Sequence, residues 1–261
     1  RLFWLAFGIV GVIDLINGLN YFIPAVPQLV IRTNLSIFFT EKPWNAIGWT
    51  PFAFYPFIIG LGYFMPLDLS FSCWFFYLFR KSQMILSAIL GLRNLPGFPY
   101  DREQSLGAYI GLSLFALWAS RNHIKGILRA AIFRSEYDKN EPLRYRTALL
   151  GILSGIAFIV FFFLKMGMSL WVILLAFFVY YALSVGITRM RAESGAPAHD
   201  LHFMGPDYAI PAAVGTSKLG GANLTILTFL FSFNRAHRAH PMPHQLEGFK
   251  LAERARMDGR R

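Results

Sequence analysis

An all-α bundle that crosses a membrane about five to seven times, with some helices broken or re-entrant, is the fold class this sequence predicts. Three observations predict it. Hydrophobic residues make up 55% of the chain and charged residues only 15%, where soluble domains average about 25% charged. Residues 2–23, 147–164 and 169–188 are apolar runs of membrane-crossing length. Residues 52–79 run for 28 positions with one charge, Asp68, yet contain Pro56, Gly60, Gly62 and Pro66, which no unbroken helix accommodates.

The first run, 2–23, ends at Pro24 and Pro27 and carries Asp14, Asn17, Asn20 and Tyr21. At about 100° per residue, Asp14, Asn17 and Tyr21 share one wedge of a helix, with Asn20 at its edge. Gly11 and Gly18 flank the wedge and permit close helix approach. An ionised aspartate there costs about 3 kcal/mol on insertion scales, so it faces a cavity, a partner or a proton. The alternative is a packed polar seam. Residues 25–49 read as a loop with Trp44 and Trp49 at headgroup level.

The stretch 52–79 follows. Asp68, Ser70 and Ser72 come directly after Pro66, as expected of a discontinuous helix that presents polar groups to a cavity. A kinked helix that only packs is the alternative. Arg80 and Lys81 come next. Either residues 47–65 and 67–90 are separate segments and these two cations lie within the second, needing Asp68 or Asp14 as partners, or residues 53–79 cross once and the cations mark the interface. Residues 93–104 read as a turn-rich loop, and 106–119 as a short apolar run.

Residues 121–146 hold seven basic and three acidic side chains. Ile124, Ile127, Leu128, Ala131 and Ile132 recur at helical spacing, so this is an amphipathic connector at a membrane surface and the strongest cytoplasmic marker. Residues 147–164 and 169–188 then form a hairpin with few polar groups, suited to a scaffold or lipid-facing role.

Residues 189–211 differ from ordinary loop composition: Glu193, His199, Asp200, His202 and Asp207 fall close together. Imidazoles and carboxylates at such spacing suit a divalent metal, a proton relay, or a hydrogen-bonded loop. Residues 213–234 begin small and polar and end apolar, which predicts a re-entrant loop entering a half-helix near Asn223, with Gly220 and Gly221 at its start. Residues 235–261 form a basic cytoplasmic tail in which 245–257 can be a short helix; His237, His240 and His244 would share one helix face, but Pro241 and Pro243 are expected to break that helix.

The net charge of +11 is carried by loops and tail, which points to topology and lipid headgroups. Without a basic face interleaved with aromatics, nucleic acid is not an expected partner. The single Cys73 excludes a disulfide framework. The chain opens inside an apolar run, which reads as part of a longer membrane protein forming a single integral domain over 1–261, completed by the remainder of that chain or a homo-oligomer.

The segments FYPFIIGLGYFMPLDLSFSCWFFYLF, RAESGAPAHDLHFMGPDYAI and FNRAHRAHPMPHQLEGFKLAER resemble an uncharacterised bacterial family of polytopic membrane proteins, a domain of unknown function. The IIGLGYFMPLDLSFS pattern is also similar to broken helices of the oligopeptide-transporter superfamily. The resemblance implies a multi-pass protein of the bacterial inner membrane and supplies no catalytic residues.

The expected function is secondary transport of a small polar or peptide-like solute, coupled to H⁺ or Na⁺ and with no other cofactor. Asp14 or Asp68 would bind the cation, and Asn17, Asn20, Ser70, Ser72, Gly220, Gly221 and Asn223 the solute. Two other readings stand beside it. One is a membrane-embedded enzyme acting on a lipid-linked or interfacial substrate, with Glu193 to Asp207 as its cluster. The other is a non-catalytic scaffold subunit.

Overall fold

The computed structural model describes residues 2–92, 95–133, 141–195, 199–201, 204–238 and 240–257. Among the described residues are ten α-helices and one antiparallel ribbon of two short strands. The chain divides into two compact units, residues 1–101 and 102–261.

In the first unit, α1 (Leu2–Phe22) is continuous and stops before Pro24, as its apolar run predicts. Residues 25–49, expected as a plain loop, are more ordered than that. Strands β1 (Arg32–Asn34) and β2 (Pro51–Ala53) pair with Asn34 opposite Pro51. Asn34 Oδ1 accepts the N–H groups of Ser36 and Thr50, at 3.2 and 2.9 Å, and so closes the base of the ribbon.

Helix α2 (Pro56–Tyr63) then ends and α3 (Leu67–Ile89) begins. The interruption is at Phe64, Met65 and Pro66. Pro66 has no N–H to continue α2, and its ψ of 141° turns the chain out of helical geometry. With Asp68 in its first turn, α3 opens favourably for its dipole. Of the two layouts, the one with a separate helix over 67–90 is found, but its partner over 47–65 is not. Only the eight residues of α2 are helical there, too few to cross a membrane.

The cations in α3 are satisfied differently from expectation. Lys81 is only 5% exposed. Its ammonium donates to the carbonyls of Ile47 and Trp49, at 2.9 and 2.7 Å, and sits 5.5 Å over the Tyr77 ring. Carbonyl dipoles, not Asp14 or Asp68, balance the charge, while Arg80 pairs with Asp101 at 2.5 Å. Gly48 lies between the two residues whose carbonyls accept from Lys81, with φ 62°, a left-handed conformation that glycine adopts without strain. Replacing Lys81 with methionine leaves both carbonyls unpaired. It is expected to cost about 2–3 kcal/mol, read as a lowered midpoint of thermal unfolding in detergent.

The second unit holds the body of α4 (Asp101–Ala119), α5 (Arg121–Phe133), α6 (Tyr145–Lys165), α7 (Leu170–Ser194), α8 (Pro206–Val214), α9 (Thr216–Asn234) and α10 (Pro241–Arg254). Helix α4 starts earlier than expected because Asp101 and Glu103 suit an N-terminus. The amphipathic connector is α5; the rest of it, 134–140, lies outside the described residues.

Helices α6 and α7 form the expected hairpin, with Phe163 and Phe177 rings 5.3 Å apart. Their roles differ. Helix α6 buries none of its residues, whereas α7 is the axis of the unit and still keeps Trp171, Leu174 and Phe178 exposed. Val172, Ile173, Ala176, Leu183 and Ile187 on α7 are buried. Gly186 admits α4: a Cβ there would lie 2.9 Å from the Tyr109 carbonyl oxygen. The Ser113 hydroxyl donates to the carbonyl of Ala182 across the same contact.

Among the described residues three helical segments are long and apolar enough to cross a membrane: Phe3–Phe22, Tyr145–Lys165 and Leu170–Ser194. Large apolar side chains such as Phe3, Trp4, Phe158 and Phe161 stand exposed on the first two, as a hydrocarbon surround requires.

Helices α8 and α9 form a second hairpin. Gly215 (φ 86°) makes its turn, and Gly220 (φ 73°, ψ 162°) breaks α9 one turn later. The hairpin packs Ile210, Leu219, Ile226, Leu227 and Leu230 against Met168, Val172, Ile173 and Ala176. Its two ends meet: Leu201 N–H donates to the Ala236 carbonyl at 3.0 Å, and a Cβ on Gly205 would lie 2.9 Å from that of Asn234. Helix α10 corrects the expectation for Pro241 and Pro243. Both lie in its first turn, where an N–H has no helical acceptor to lose, so they open the helix instead of breaking it.

Candidate functional site

Helix α9 runs parallel to α7. At its start, Asn223 accepts the Ser169 N–H at 2.8 Å and donates to the Ser169 hydroxyl at 3.1 Å and the Leu219 carbonyl at 2.7 Å. At its end, Phe233 meets Tyr180, ring centroids 5.4 Å apart. Tyr180 lies about 15 Å along α7 from Leu170. Here α9 stops, and residues 235–240 lead into α10, which continues along the last third of α7. Opposite the middle of one uninterrupted helix there is thus a break in the facing one.

A cleft of about 550 Å³ opens at this break. Its lining includes Tyr180 from α7, Ser232 and Phe233 from α9, and Arg235, His237, Arg238 and His240 from the break. His237 is only 4% exposed and holds φ at 52°, a left-handed value that is uncommon outside glycine and enriched for histidine. Its ring stacks on Tyr180 at 5.4 Å and lies 6.1 Å from that of His240. Both ring nitrogens of His237 and of His240 are buried with no hydrogen-bond partner among the described residues. Both amide atoms of Asn234 and Asp207 Oδ1 are buried as well, with the Asn234 side chain beside the Asp207 carboxylate. Native interiors rarely leave such groups unpaired, and this concentration makes the cleft the candidate site.

Around it stands a fully engaged network. Arg191, 8% exposed, forks onto Glu247 with N···O distances of 2.5 and 3.0 Å. Its third nitrogen donates to His199 Nδ1 at 2.8 Å. That fixes the tautomer, because His199 Nε2 must then carry the proton it gives to the His237 carbonyl at 2.7 Å. Arg238 donates to Asp200 at 2.8 Å. The electrostatics follow. Burial, then the neighbouring His240 and His199 imidazoles, hold the His237 pKa down at about 4. Burial and His199 lower that of His240. Burial raises that of Asp207, while the Arg191 guanidinium lowers that of Glu247.

The residues singled out from sequence fall in several places. Asp14 and Asp68 are exposed on α1 and α3, and among the described residues no hydrogen bond or ion pair joins them. Asn17 exchanges two hydrogen bonds with the Leu29 backbone, at 2.8 and 3.1 Å, and Asn20 donates to the Val26 carbonyl at 2.6 Å, so both fasten the chain beyond α1. The Ser72 hydroxyl donates to the Asp68 carbonyl at 2.8 Å, and Ser70 is half-buried nearby. Gly220 breaks α9 three residues before Asn223, but Thr216 to Leu219, expected as part of a re-entrant loop, are already helical; Gly221 follows the break, exposed, and Asn223 is committed to Ser169.

From the 189–211 segment, the structure brings His199, Asp200 and Asp207 around the α9–α10 break. Glu193 instead pairs with Arg189 at 2.5 Å, and His202 lies outside the described residues. Among the described residues no three His, Cys, Asp or Glu side chains are gathered to share a metal ion. Tyr180, Arg191, Asn234 and Glu247 were not picked out, and His237 and His240 were weighed only as one face of a helix. The available signal was the pairing of two histidine-rich segments, 199–202 and 237–244, on either side of an apolar run.

No curated protein and no solved structure matches the chain. The family of unknown function DUF6785 matches it over residues 1–261, and the protein belongs to that family.

Proposed function

We propose that the protein is a secondary membrane transporter for a small polar or peptide-like solute, coupled to H⁺ or Na⁺, with its site at the α9–α10 break. The observation that carries this reading is the cleft beside Tyr180. It puts buried, unpartnered imidazoles against the middle of a helix apolar enough to span a bilayer. Interrupted backbone survives in a membrane only where protein or a water-filled cavity receives its polar groups. Transporters build their midplane sites from such half-helices. The break between α2 and α3 and the paired ends of the α8–α9 hairpin support a bundle with more membrane segments than the three continuous helices. The likeness of IIGLGYFMPLDLSFS to oligopeptide-transporter helices agrees with it.

The test is access. Ser232 is exposed on the cleft, and Cys73 is the chain's single cysteine. In a Cys73→Ala background, Ser232→Cys should react with a membrane-impermeant maleimide from either side of oriented vesicles, at rates that shift with an imposed pH or Na⁺ gradient. Labelling confined to one side under every gradient sinks the transport reading.

A further inference from the structure

We infer that the cleft at the α9–α10 break takes a small oxyanion, a carboxylate or phosphate group, and that His237 takes up one proton as the anion binds. The anion site stands on the geometry of the cleft alone; its service in proton-coupled symport rests on the transport reading above.

The sign of the ligand comes from the lining. Among the described residues nine line the cleft, and none of them is Asp or Glu. Arg238 is already paired with Asp200. Arg235 is exposed on the cleft, and its guanidinium makes no hydrogen bond or ion pair among the described residues. It is therefore an uncommitted guanidinium, the group best shaped for two oxygens of a carboxylate or phosphate. Beside it the four ring nitrogens of His237 and His240 lack partners. Each neutral imidazole offers one N–H, and a protonated one offers two. A cation would meet the Arg235 and Arg238 guanidiniums with no carboxylate in the described lining to offset them, whereas an oxyanion meets N–H donors on several sides.

The proton follows from the surroundings of His237. From α7 it meets the Tyr180 ring. From the start of α10 it meets His240. From the 199–201 segment, His199 donates to its carbonyl, with Arg191, Glu247 and the His244 ring behind. Asn234 and Asp207 lie at the hairpin ends, and Asp200 holds Arg238. No carboxylate in this set bonds to the His237 ring among the described residues, so His237 is neutral near pH 7, its pKa being about 4. An anion in the cleft supplies the missing negative charge and raises that pKa. Linkage is reciprocal: a ligand that favours the protonated imidazole binds more tightly where protons are plentiful.

The test is calorimetric titration of sulfate and acetate into the protein in phosphatidylcholine nanodiscs. Neither probe titrates appreciably above about pH 6. Buffers of different ionisation enthalpy report proton uptake. Expected are binding that strengthens by up to about tenfold per pH unit as pH falls and a net uptake approaching one proton per anion. Arg235→Gln, at an exposed site, should weaken both probes at least tenfold. His237→Asn, which tolerates the left-handed backbone, should bind with little pH dependence and no proton uptake.

Failure of both probes to bind, or unchanged proton uptake in His237→Asn, overturns the inference. If the probes bind only weakly until displaced headgroups are removed, and phosphatidylglycerol discs block them altogether, the occupant is a lipid phosphate and the solute assignment falls. Anion binding with proton uptake, joined to one-sided Ser232→Cys labelling, leaves this site standing and removes transport. Two-sided labelling without anion binding does the reverse.

Discussion

Replacing Arg191 with alanine is expected to destabilise the protein by about 3 kcal/mol, seen as a lower midpoint of thermal unfolding in detergent. The guanidinium is nearly inaccessible and makes three charge-assisted contacts, two to Glu247 and one to His199. Removing one partner of a buried pair typically costs about 3–5 kcal/mol. Glu247 is 46% exposed and recovers hydration once released, which brings the figure to the lower end. His199 does not recover: it is 4% exposed, and its Nδ1 becomes an orphaned acceptor. Glu247→Gln, which keeps an acceptor for the fork, should cost less than half as much. Equal losses from the two substitutions would show that the fork, and not the triad with His199, holds α10 on α7.

Acid should destabilise the fold by a comparable amount, through His237. Its folded pKa is about 4 against an ordinary 6.5. The folded state therefore binds fewer protons than the unfolded chain between those values. Stability is complete above the unfolded value and is lost as pH falls from about 6.5 to 4. A gap of that size is worth about 3 kcal/mol for one group. His240 is displaced in the same direction and steepens the loss. Glu247, whose pKa lies below the usual range, adds a further loss at the acid end. Unfolding midpoints measured across this window should drop for the wild type and drop less for His237→Asn. Parallel profiles would mean that His237 is not held neutral by its surroundings.

The parts of this architecture that were legible in the sequence are those governed by local chemistry. Apolar runs of sufficient length became α1, α6 and α7 because burial of backbone polar groups in a continuous helix is determined residue by residue. The breaks at Pro66 and Gly220 were legible for the same reason: a missing donor and a positive φ belong to the residue itself. Pro241 and Pro243 misled because proline's effect depends on where the helix starts, and nothing local set that start. The candidate site was legible only in fragments. His199 meets the carbonyl of His237 across 38 positions, and Lys81 meets Ile47 and Trp49 across 34 and 32. Such pairings are fixed by tertiary packing, of α10 on α7 in one unit and of α3 on the 44–49 turn in the other, not by composition. Asn17, Asn20 and Asn223 show the converse. Each looked like a group waiting for a ligand, and each is spent on the backbone of a neighbouring turn or helix start.

The α8–α9 hairpin departs from the neighbourhood of Leu201 and comes back to Ala236, so whatever depth it reaches, it contributes an even count to the path of the chain. The chain that enters it and the chain that leaves it consequently stand at one level beside α7. The hairpin can therefore settle late in folding, against an α7 already in place.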